Sequence, residues 1–411
     1  MKEFSKSFKL VVVGQIISLF GSSILRFALS LYVLEITGSA TIFGTILAIS
    51  IIPTIFISPV AGAIADRYNK RNLMVVFDLI TSVAVAAFSI YLIAGNSSII
   101  GIGVMMIFLS IISTMYQPTV QASIPVLVPK ELLLKSNGIV TGVMSIANFL
   151  GPIIGGVVYS FAKIEVIVVA SVACFMLSCV ILLFVHIPHE KRIGDKNELK
   201  AIIQDMKDGL RYITHENKFI MKVIGFMFAI NLFMAPIFFV GLPYIIKIML
   251  KMPNTFFGFS QGAISISVVF SAMTIGLLKD KINRGNLQFW VYASVIIFGV
   301  MAFGASGIIS NNFINYIICT ICSVLVMYSL TVMGIFIMTL IQKETPKKIL
   351  GKVVSIQAAL SMISVPIGQI IIGFLIDNYN KDIYIIIIGV SILTLMLALI
   401  SKRVFREAKT E

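Results

Sequence analysis

The sequence predicts an all-α polytopic membrane protein whose twelve transmembrane helices form two pseudo-symmetric six-helix bundles. Three observations predict this fold class: the composition, the spacing of the apolar stretches and an internal repeat. Hydrophobic residues make up 58% of the 411 residues and charged residues only 12%, about half the share of a soluble protein. At ~20 residues per membrane-spanning helix, the apolar residues suffice for roughly a dozen spans. This composition excludes a soluble enzyme, a disordered chain and a nucleic-acid-binding protein.

Apolar stretches separated by short polar or Gly/Pro turns define the individual spans. The predicted limits are 8–34, 41–65, 72–94, 99–127, 137–160, 164–187, 219–247, 255–278, 287–309, 313–341, 351–376 and 383–401. The longest hydrophilic segment is 188–218, where the apolar residues of 199–213 share one helical face. The predicted domains are therefore an N-terminal bundle (1–187), a cytoplasmic linker with an amphipathic helix (188–218) and a C-terminal bundle (219–411).

An internal repeat supports the division into two bundles. Residues 62–71 and 276–284 both follow the pattern G-x-x-x-D-[RK]-x-x-[RK], with their acids 214 positions apart (280 minus 66). Pro152 of the fifth span and Pro366 of the eleventh have the same offset (366 minus 152). Two independent features at one offset indicate a duplicated six-helix unit.

The net charge of +14 comes from basic residues concentrated in alternate loops. The only basic residues in the loops on the opposite side are Lys163, Lys247, Lys251 and Lys381. Basic loops stay in the cytoplasm, so we expect a multi-pass protein of the plasma (inner) membrane with both termini cytoplasmic. The basic N-terminus is expected to lead into an uncleaved first span.

Several kinds of chemistry lack the residues that they require. Cys319 and Cys322 form a C-x-x-C within an apolar span, where ordinary packing is favoured over a metal or redox site. No histidine lies inside a span, and no G-x-x-x-x-G-K-[ST] loop is present for ATP hydrolysis. We therefore expect no enzyme activity, no cofactor and no metal, with a proton gradient as the energy source. The expected partners are a small-molecule substrate and the lipid bilayer, without nucleic acid, and the expected state is a monomer.

Residues 62–71 resemble the loop signature between the second and third spans of the major facilitator superfamily, and 276–284 resemble its weaker second copy. The fifth span resembles the antiporter motif of that superfamily, with Ala147 where the motif usually has glycine. The residues of this motif are Gly138, Ala147, Gly151, Pro152, Gly155 and Gly156. Segments 34–40 (LEITGSA), 59–71, 129–138 and 207–212 resemble the macrolide-efflux-type branch of drug and siderophore exporters. The resemblance implies the major facilitator fold, with spans 1, 4, 7 and 10 lining a central pathway.

The duplicated signature predicts a cytoplasmic latch. Its proposed members are Gly62, Asp66, Arg67, Lys70 and Arg71, with Gly276, Asp280 and Arg284 in the second copy. Glycine permits a close approach of helices, and a carboxylate can accept hydrogen bonds from a neighbouring helix N-terminus and pair with the cations. The alternative is a simple anchor of solvated charges. The second copy has Gly285 in place of a basic residue, so its latch should be weaker.

Polar stripes on apolar spans predict a substrate cavity, because polar side chains are costly in lipid. The stripes on spans 1, 4 and 10 recur at helical spacing, while span 7 offers one amide among Phe and Met. The cavity candidates are Gln15, Ser22, Arg26, Gln117, Gln121, Asn231, Phe238, Met327 and Tyr328. The alternative for any single Ser or Thr is a hydrogen bond between helices.

Few charged residues lie at membrane depth. Arg26 is the basic residue well inside a span and should face water, a carboxylate or an anionic substrate group. Glu35 lies about half a turn around the helix from Arg26, so the two cannot pair within the first span. Glu35 and Asp78 are the candidates for a proton-coupling carboxylate. Glu35 could instead be a solvated charge at the rim, and Asp78 could instead pair with Arg71.

These features predict a secondary active transporter that exports lipophilic drugs or similar small molecules in exchange for protons. Phe and Met surfaces adapt to varied lipophilic shapes. The alternatives are an exporter of an anionic siderophore or lipid-like metabolite, favoured by Arg26, and an uptake symporter on the same fold.

Overall fold

The computed structural model describes residues 4–188, 207–278, 287–379 and 382–407. These residues are almost entirely helical, and twelve long helices follow one another along them. They are α1 (Lys6–Thr37), α2 (Ala40–Arg67), α3 (Lys70–Ile93), α4 (Ile99–Leu127), α5 (Leu133–Phe161), α6 (Ile164–Leu183), α7 (Lys218–Phe233), α8 (Asn254–Leu278), α9 (Leu287–Gly304), α10 (Asn312–Glu344), α11 (Lys347–Asn378) and α12 (Ile383–Glu407).

Within the described ranges, ten helical segments are long and apolar enough to cross a membrane, and α9 adds the shorter apolar stretch Gln288–Gly304. The predicted all-α polytopic class is therefore confirmed. The helix limits agree with the predicted spans to within about four residues, except at the ends of the ninth and twelfth spans; α12 runs to Glu407, six residues beyond the predicted limit. The ninth span was expected to extend to residue 309, but α9 ends at Gly304. Gly307 has a φ of +74°, a backbone conformation that does not continue a right-handed helix.

The seventh span changes helix type along its length. After α7 come a π-helical segment Ile237–Gly241, a single turn Leu242–Tyr244 and a second π-helical segment Ile245–Met249. Pro236 and Pro243 supply no backbone N–H, which removes the usual bond to the carbonyl four residues earlier. The prolines therefore account for local departures from regular α-helix, while the span remains continuous to Met249.

The helices group into two compact units. Unit 1 comprises Met1–Ile36, Ile49–Lys196 and Pro253–Gly262, and unit 2 comprises Thr37–Ala48, Asn197–Met252 and Ala263–Glu411. In unit 1, α3 packs against α6 and α4; in unit 2, α9 packs against α12 and α10, and α7 packs against α11. Two helices, α2 and α8, are divided between the units, and the last residue of α1, Thr37, belongs to unit 2. The predicted domain limits at 187 and 218 stay a prediction, because 189–206 lie outside the described residues.

The end of the linker is fastened within unit 2. Residues 207–211 are helical, and the carboxylate of Asp208 pairs with Lys352 of α11, with Nζ 2.6 Å from Oδ2. Gly209 lies close enough to α11 that an added Cβ would be 2.8 Å from Ile356. The first part of the predicted amphipathic helix, 199–206, lies outside the described residues.

Candidate functional site

Asp78 of α3 is the one acidic residue in the described part of the chain that is fully buried, with 1% of its surface exposed. Its carboxylate accepts two hydrogen bonds from hydroxyl groups of neighbouring helices. Ser18 Oγ of α1 donates to Oδ1 at 2.8 Å, and Ser178 Oγ of α6 donates to Oδ2 at 2.5 Å. Within the described residues, neither a cation nor a backbone N–H pairs with this carboxylate. Among the described residues, the Asp78 carboxylate is therefore stabilised by two hydroxyl hydrogen bonds and by no counter-ion.

Glycines in α1 bring α6 close enough to provide one of these hydroxyls. A Cβ on Gly14 would lie 3.2 Å from atoms of Leu182 and 3.3 Å from Ser178 Oγ. A Cβ on Gly21 would lie 2.9 Å from the Cβ of Cys174. Small residues permit such close helix contacts in membrane proteins. The spacing of Gly14 and Gly21, two turns apart, therefore positions α6 beside α1 at the level of Asp78.

A small cavity adjoins the carboxylate within unit 1. Its volume of about 30 Å³ is enough for a water molecule. Its walls come from α1, α3, α4 and α6, and the described residues that line it include no Lys, Arg or His. They are Ser18, Leu19, Ser22, Asp78, Thr81, Leu109, Ile112, Ser113, Tyr116, Gln117 and Phe175. Two cavity candidates from the sequence, Ser22 and Gln117, are thus placed with Asp78.

Unpaired polar atoms accompany this cavity. Tyr116 is 4% exposed, and its hydroxyl has no hydrogen-bond partner among the described residues. The buried Oε1 of Gln117 is likewise unpaired, as are both amide atoms of Gln15, which is fully buried. Buried polar groups are normally hydrogen-bonded, so orphaned ones call for a ligand, an ion or water. The region around Asp78 is therefore suited to receive a small polar species.

Arg26 lies two turns beyond Ser18 on α1. Its Nη2 is buried and has no hydrogen-bond partner in the part of the chain that the structure describes. Glu35 is exposed at the far end of the same helix, where its Oε2 accepts a bond of 3.1 Å from the hydroxyl of Tyr159. Glu35 therefore faces a neighbour on α5, and Arg26 presents an unpaired donor.

The polar stripe of α4 divides between two roles. Ser110 and Thr114 bond with Thr54 of α2, at 3.1 Å and 2.9 Å. Gln117 lines the cavity, whereas Gln121 is exposed. The alternative of helix-to-helix bonding therefore holds for part of the stripe.

The candidates of unit 2 lie among aromatic side chains. The hydroxyl of Tyr328 bonds with Thr274 Oγ1 at 2.7 Å, and its ring lies 5.8 Å from that of Trp290. Phe238 is buried and stacks on Phe298, with centroids 6.0 Å apart. The remaining two candidates, Asn231 and Met327, are half-buried. Trp290 and Tyr328 thus form an aromatic pair that includes the Tyr328 hydroxyl, whereas Phe238 is enclosed by its neighbours.

The small residues of α5 contact two other helix segments of unit 1. A Cβ on Gly151 would collide with Ser23 of α1, and one on Gly155 would lie 3.0 Å from Phe27. A Cβ on Gly156 would lie 2.8 Å from the backbone oxygen of Asn254. Ala147 is 1% exposed, and its carbonyl accepts a bond from the Ser23 hydroxyl. Pro152 lies inside the helix without interrupting it.

Two glycines of the predicted motifs do not show the expected close packing. An added Cβ on Gly62 or Gly138 would meet no heavy atom of the described residues within 4 Å. The close helix approach predicted at Gly62 therefore has no counterpart among the described residues and stays a prediction.

The latch prediction falls partly outside the described residues, which exclude Asp280 and Arg284 and give no side-chain placement for Asp66 and Gly276. Arg67 is exposed and Lys70 half-buried. The guanidinium of Arg71 donates to the Leu183 carbonyl at 2.5 Å. The alternative pairing of Arg71 with Asp78 is absent from the structure.

Sequence reasoning did not identify Ser178, Tyr116 or Asp377 as functional residues. A serine or tyrosine in an apolar span carries little signal by itself. The seven-residue spacing of Ser171 and Ser178, which matches that of Gly14 and Gly21, is a signal that could have indicated a face of α6 packed against α1. Asp377 lies at a helix end, where a charged residue is common.

Comparisons with known proteins agree with the fold. A sequence profile described as Major Facilitator Superfamily matches residues 11–369. Macrolide efflux protein A of Streptococcus pyogenes is 23% identical over 392 residues, which cover 94% of this chain and 93% of that protein. The Staphyloferrin A transporter of Staphylococcus aureus is 23% identical over 398 residues, covering 95% and 91% of the two chains.

A crystal structure of the nucleoside transporter NupG superimposes with a TM-score of 0.74 at 11% identity, covering 98% of this chain and 99% of that one. This likeness supports the fold alone. The profile match extends over most of the chain and includes the α1–α6 helices that surround Asp78. The resemblance noted in the sequence motifs is confirmed: the chain belongs to the Major Facilitator Superfamily and is a multi-pass membrane transporter, not an enzyme.

Proposed function

We propose that this transporter exports lipophilic small molecules in exchange for protons, by alternating access. The observation that carries the proposal is Asp78, which is buried in the first half of α3 and whose carboxylate is hydrogen-bonded only to hydroxyl groups among the described residues. An uncompensated charge is costly in a membrane interior, and a bound proton removes it. Uptake and loss of a proton at Asp78 would also change the bonds that join α3 to α1 and α6. Proton transfer is thereby linked to helix packing.

Glu35, the second coupling candidate, is less suited to this role. It is exposed, and its carboxylate is bonded to Tyr159. Water can solvate an exposed carboxylate in either protonation state, so its titration exerts little force on the helices. We therefore assign coupling to Asp78.

Export is supported by the 23% identity to Macrolide efflux protein A along nearly the whole chain. A lipophilic cargo agrees with the aromatic side chains Trp290, Phe270 and Tyr328, because rings and flexible apolar side chains accept varied shapes. The basic loops support a plasma-membrane location with both termini in the cytoplasm. We propose a monomer, with the closely packed α5 acting as in antiporters and the latch at the cytoplasmic face.

An anionic cargo, such as a carboxylate-rich siderophore, is the second candidate. It is favoured by Arg26, whose buried Nη2 has no partner among the described residues. Guanidinium groups bind carboxylates through paired, charge-assisted hydrogen bonds. Similarity to the Staphyloferrin A transporter supports the same candidate.

Transport by proteoliposomes tests both candidates. We would measure the movement of erythromycin, ethidium and staphyloferrin A with no pH gradient and with gradients of either sign. The proposal expects at least one lipophilic cargo to move faster under one sign of the gradient. If every transported cargo ignores the gradient, proton coupling is wrong.

The substitution Arg26→Gln distinguishes the cargo classes. It should slow an anionic cargo by roughly tenfold or more, the scale of one charge-assisted contact, and leave erythromycin and ethidium nearly unchanged. Equal losses for all cargoes would mean that Arg26 supports the helix packing and does not select cargo.

A further inference from the structure

The turn between α1 and α2 binds the last turn of α11 within unit 2. Asp377 of α11 accepts three hydrogen bonds from this turn. Ser39 Oγ donates to Oδ2 at 2.5 Å, the Ala40 N–H donates to Oδ1 at 2.8 Å, and the Thr41 N–H donates to Oδ2 at 2.9 Å. We call Asp377 with Ser39, Ala40 and Thr41 the Asp377 clamp.

The clamp completes the N-terminus of α2. The first backbone N–H groups of a helix lack partners inside the helix and need acceptors from elsewhere. Ser39 Oγ accepts from the Ile42 N–H at 3.1 Å, as an ordinary N-cap does. Asp377 accepts hydrogen bonds from the N–H groups of Ala40 and Thr41, which the Ser39 side chain does not cap. Separation of α11 from α2 would therefore leave the N–H groups of Ala40 and Thr41 without their acceptor.

Close backbone packing accompanies the three bonds. A Cβ on Gly373 would lie 2.5 Å from the Ala40 carbonyl oxygen, and a Cβ on Gly44 would lie 2.5 Å from the Gln369 carbonyl oxygen. Gln369, Gly373 and Asp377 recur at steps of four and so share one face of α11. The clamp is thus the polar end of a continuous seam between α2 and α11.

The segment 34–40, singled out in the sequence, supplies the receiving turn. Gly38 has a φ of +61°, which a glycine adopts without strain and which turns the chain between the helices. The Ser39 N–H donates to Thr37 Oγ1 at 3.2 Å, which holds the turn in shape. Gly38 therefore sets the shape of a turn that presents the Ser39 hydroxyl and the N–H groups of Ala40 and Thr41 to the carboxylate.

The clamp consists of groups that water can replace. Asp377 is half-buried, and each donor of the turn can bond to water when the carboxylate leaves. Separating such a hydrogen-bonded contact therefore requires less free energy than separating an apolar interface does. The first residues of α2, to Ala48, belong to unit 2, whereas Ile49 and the residues that follow belong to unit 1.

We propose that the Asp377 clamp is a contact that opens and closes during the transport cycle. It is closed when the first turn of α2 packs against α11, and it is open when cargo passes the end of the protein at which the α1–α2 turn lies. Asp377 is a positioning residue that acts through the first turn of α2. The inference rests on the proposed function only in that a transporter must alternate between two accessible states.

Cysteine labelling of the full-length protein in detergent tests the clamp without any cargo. The native Cys174, Cys179, Cys319 and Cys322 are replaced by alanine, and Ile42→Cys, at a half-buried position in the first turn of α2, provides a single reporter that leaves the donors to Asp377 intact. Asp377→Asn should make a fluorescent maleimide react about tenfold faster, the scale expected when a charge-assisted cap is lost. Asp377→Glu should restore part of the slow rate. The matched control is Asp382→Asn, an exposed acid just beyond the same helix end, which should leave the rate unchanged.

Cross-linking then tests whether release is needed for transport. A short, reducible bifunctional thiol reagent joins Ser39→Cys to Asp377→Cys in proteoliposomes. Cross-linked protein should lose transport of whichever cargo the parent moves, and reduction should restore it.

The two experiments separate the possible failures. Equal labelling rates for Asp377→Asn and the parent, or undiminished transport by fully cross-linked protein, would overturn the clamp. A labelling difference in a protein that moves none of erythromycin, ethidium and staphyloferrin A would support the clamp and count against the proposed function.

Discussion

Asp78 in unit 1 and Asp377 in unit 2 are both carboxylates of transmembrane helices, yet their donors differ in kind. Asp78 accepts from two serine hydroxyls and has no backbone donor among the described residues. Asp377 accepts from one hydroxyl and from two backbone N–H groups at the start of α2. Asp78 is fully buried, whereas Asp377 is half-buried.

The difference shows that the type of hydrogen-bond donor determines whether a carboxyl group is suited to exchanging a proton or to staying ionised. A hydroxyl can rotate and either donate or accept, so a serine satisfies a carboxylate and also a carboxylic acid. A backbone N–H only donates, and at a helix N-terminus it favours negative charge. Asp78 therefore suits a site that exchanges a proton, and Asp377 suits one that stays ionised and holds a helix.

Removal of the exchangeable acid should have the largest effect. Asp78→Asn keeps the shape and the hydroxyl contacts but cannot take up or release a proton. We expect acceleration of transport by a pH gradient to be lost, while exchange of cargo without a gradient continues. Uptake into proteoliposomes with and without the gradient measures both rates.

Glu35→Gln serves as the control for Asp78, because it neutralises the exposed acid. This variant should respond to the gradient as the parent does. If Asp78→Asn still responds fully and Glu35→Gln does not, the coupling role belongs to Glu35, and the comparison with Asp377 loses its basis.

A smaller effect is expected when the seam beneath the Asp377 clamp is overfilled. Gly373→Ala places a Cβ 2.5 Å from the Ala40 carbonyl oxygen, so the helices must separate. We expect about 1–3 kcal/mol of destabilisation, measured by thermal unfolding in detergent. Gly351→Ala in the same helix meets no described heavy atom within 4 Å and should be neutral or slightly stabilising. Equal effects from the two substitutions would show that the helices adjust around an added methyl group at Gly373 without loss of stability.

The smallest effect concerns one hydroxyl of the Asp78 site. Ser178→Ala removes a donor to Asp78 and should cost about 1 kcal/mol while weakening the response to a pH gradient. Ser171→Ala, seven residues earlier on α6, removes a buried hydroxyl that bonds chiefly to the Ile167 carbonyl of its own helix. That control should leave the gradient response intact. A normal response in Ser178→Ala would mean that Ser18 alone is enough for coupling.

The spans were predictable from sequence because a run of about twenty apolar residues rarely occurs outside a membrane helix. Arg26, Glu35 and Asp78 stood out for the same reason, as charges within apolar stretches. The change to π-helix after α7 was not predicted, since prolines more often end or bend a helix than widen it.

The partners of the acids were not predictable from a single sequence. Ser178 is 100 residues from Asp78, and Ser39 is 338 residues from Asp377. A serine in a span usually bonds to its own helix, as Ser171 and Ser323 do, and only the packing shows which serine turns to a neighbour. The surroundings of Gly62, which has no described heavy atom within 4 Å of an added Cβ, likewise depend on neighbours that the motif does not specify.

The size of the cavity beside Asp78 has a consequence for how such a protein diversifies. A space of about 30 Å³ admits a water molecule but no drug, so under the proposed mechanism cargo in this conformation would not compete directly with a proton on Asp78. If Asp78 binds the coupling proton as proposed, proton and cargo would influence each other through helix movements, and each binding surface could change in evolution without disturbing the other. A laboratory selection for new cargo should accordingly collect substitutions away from Ser18, Asp78 and Ser178.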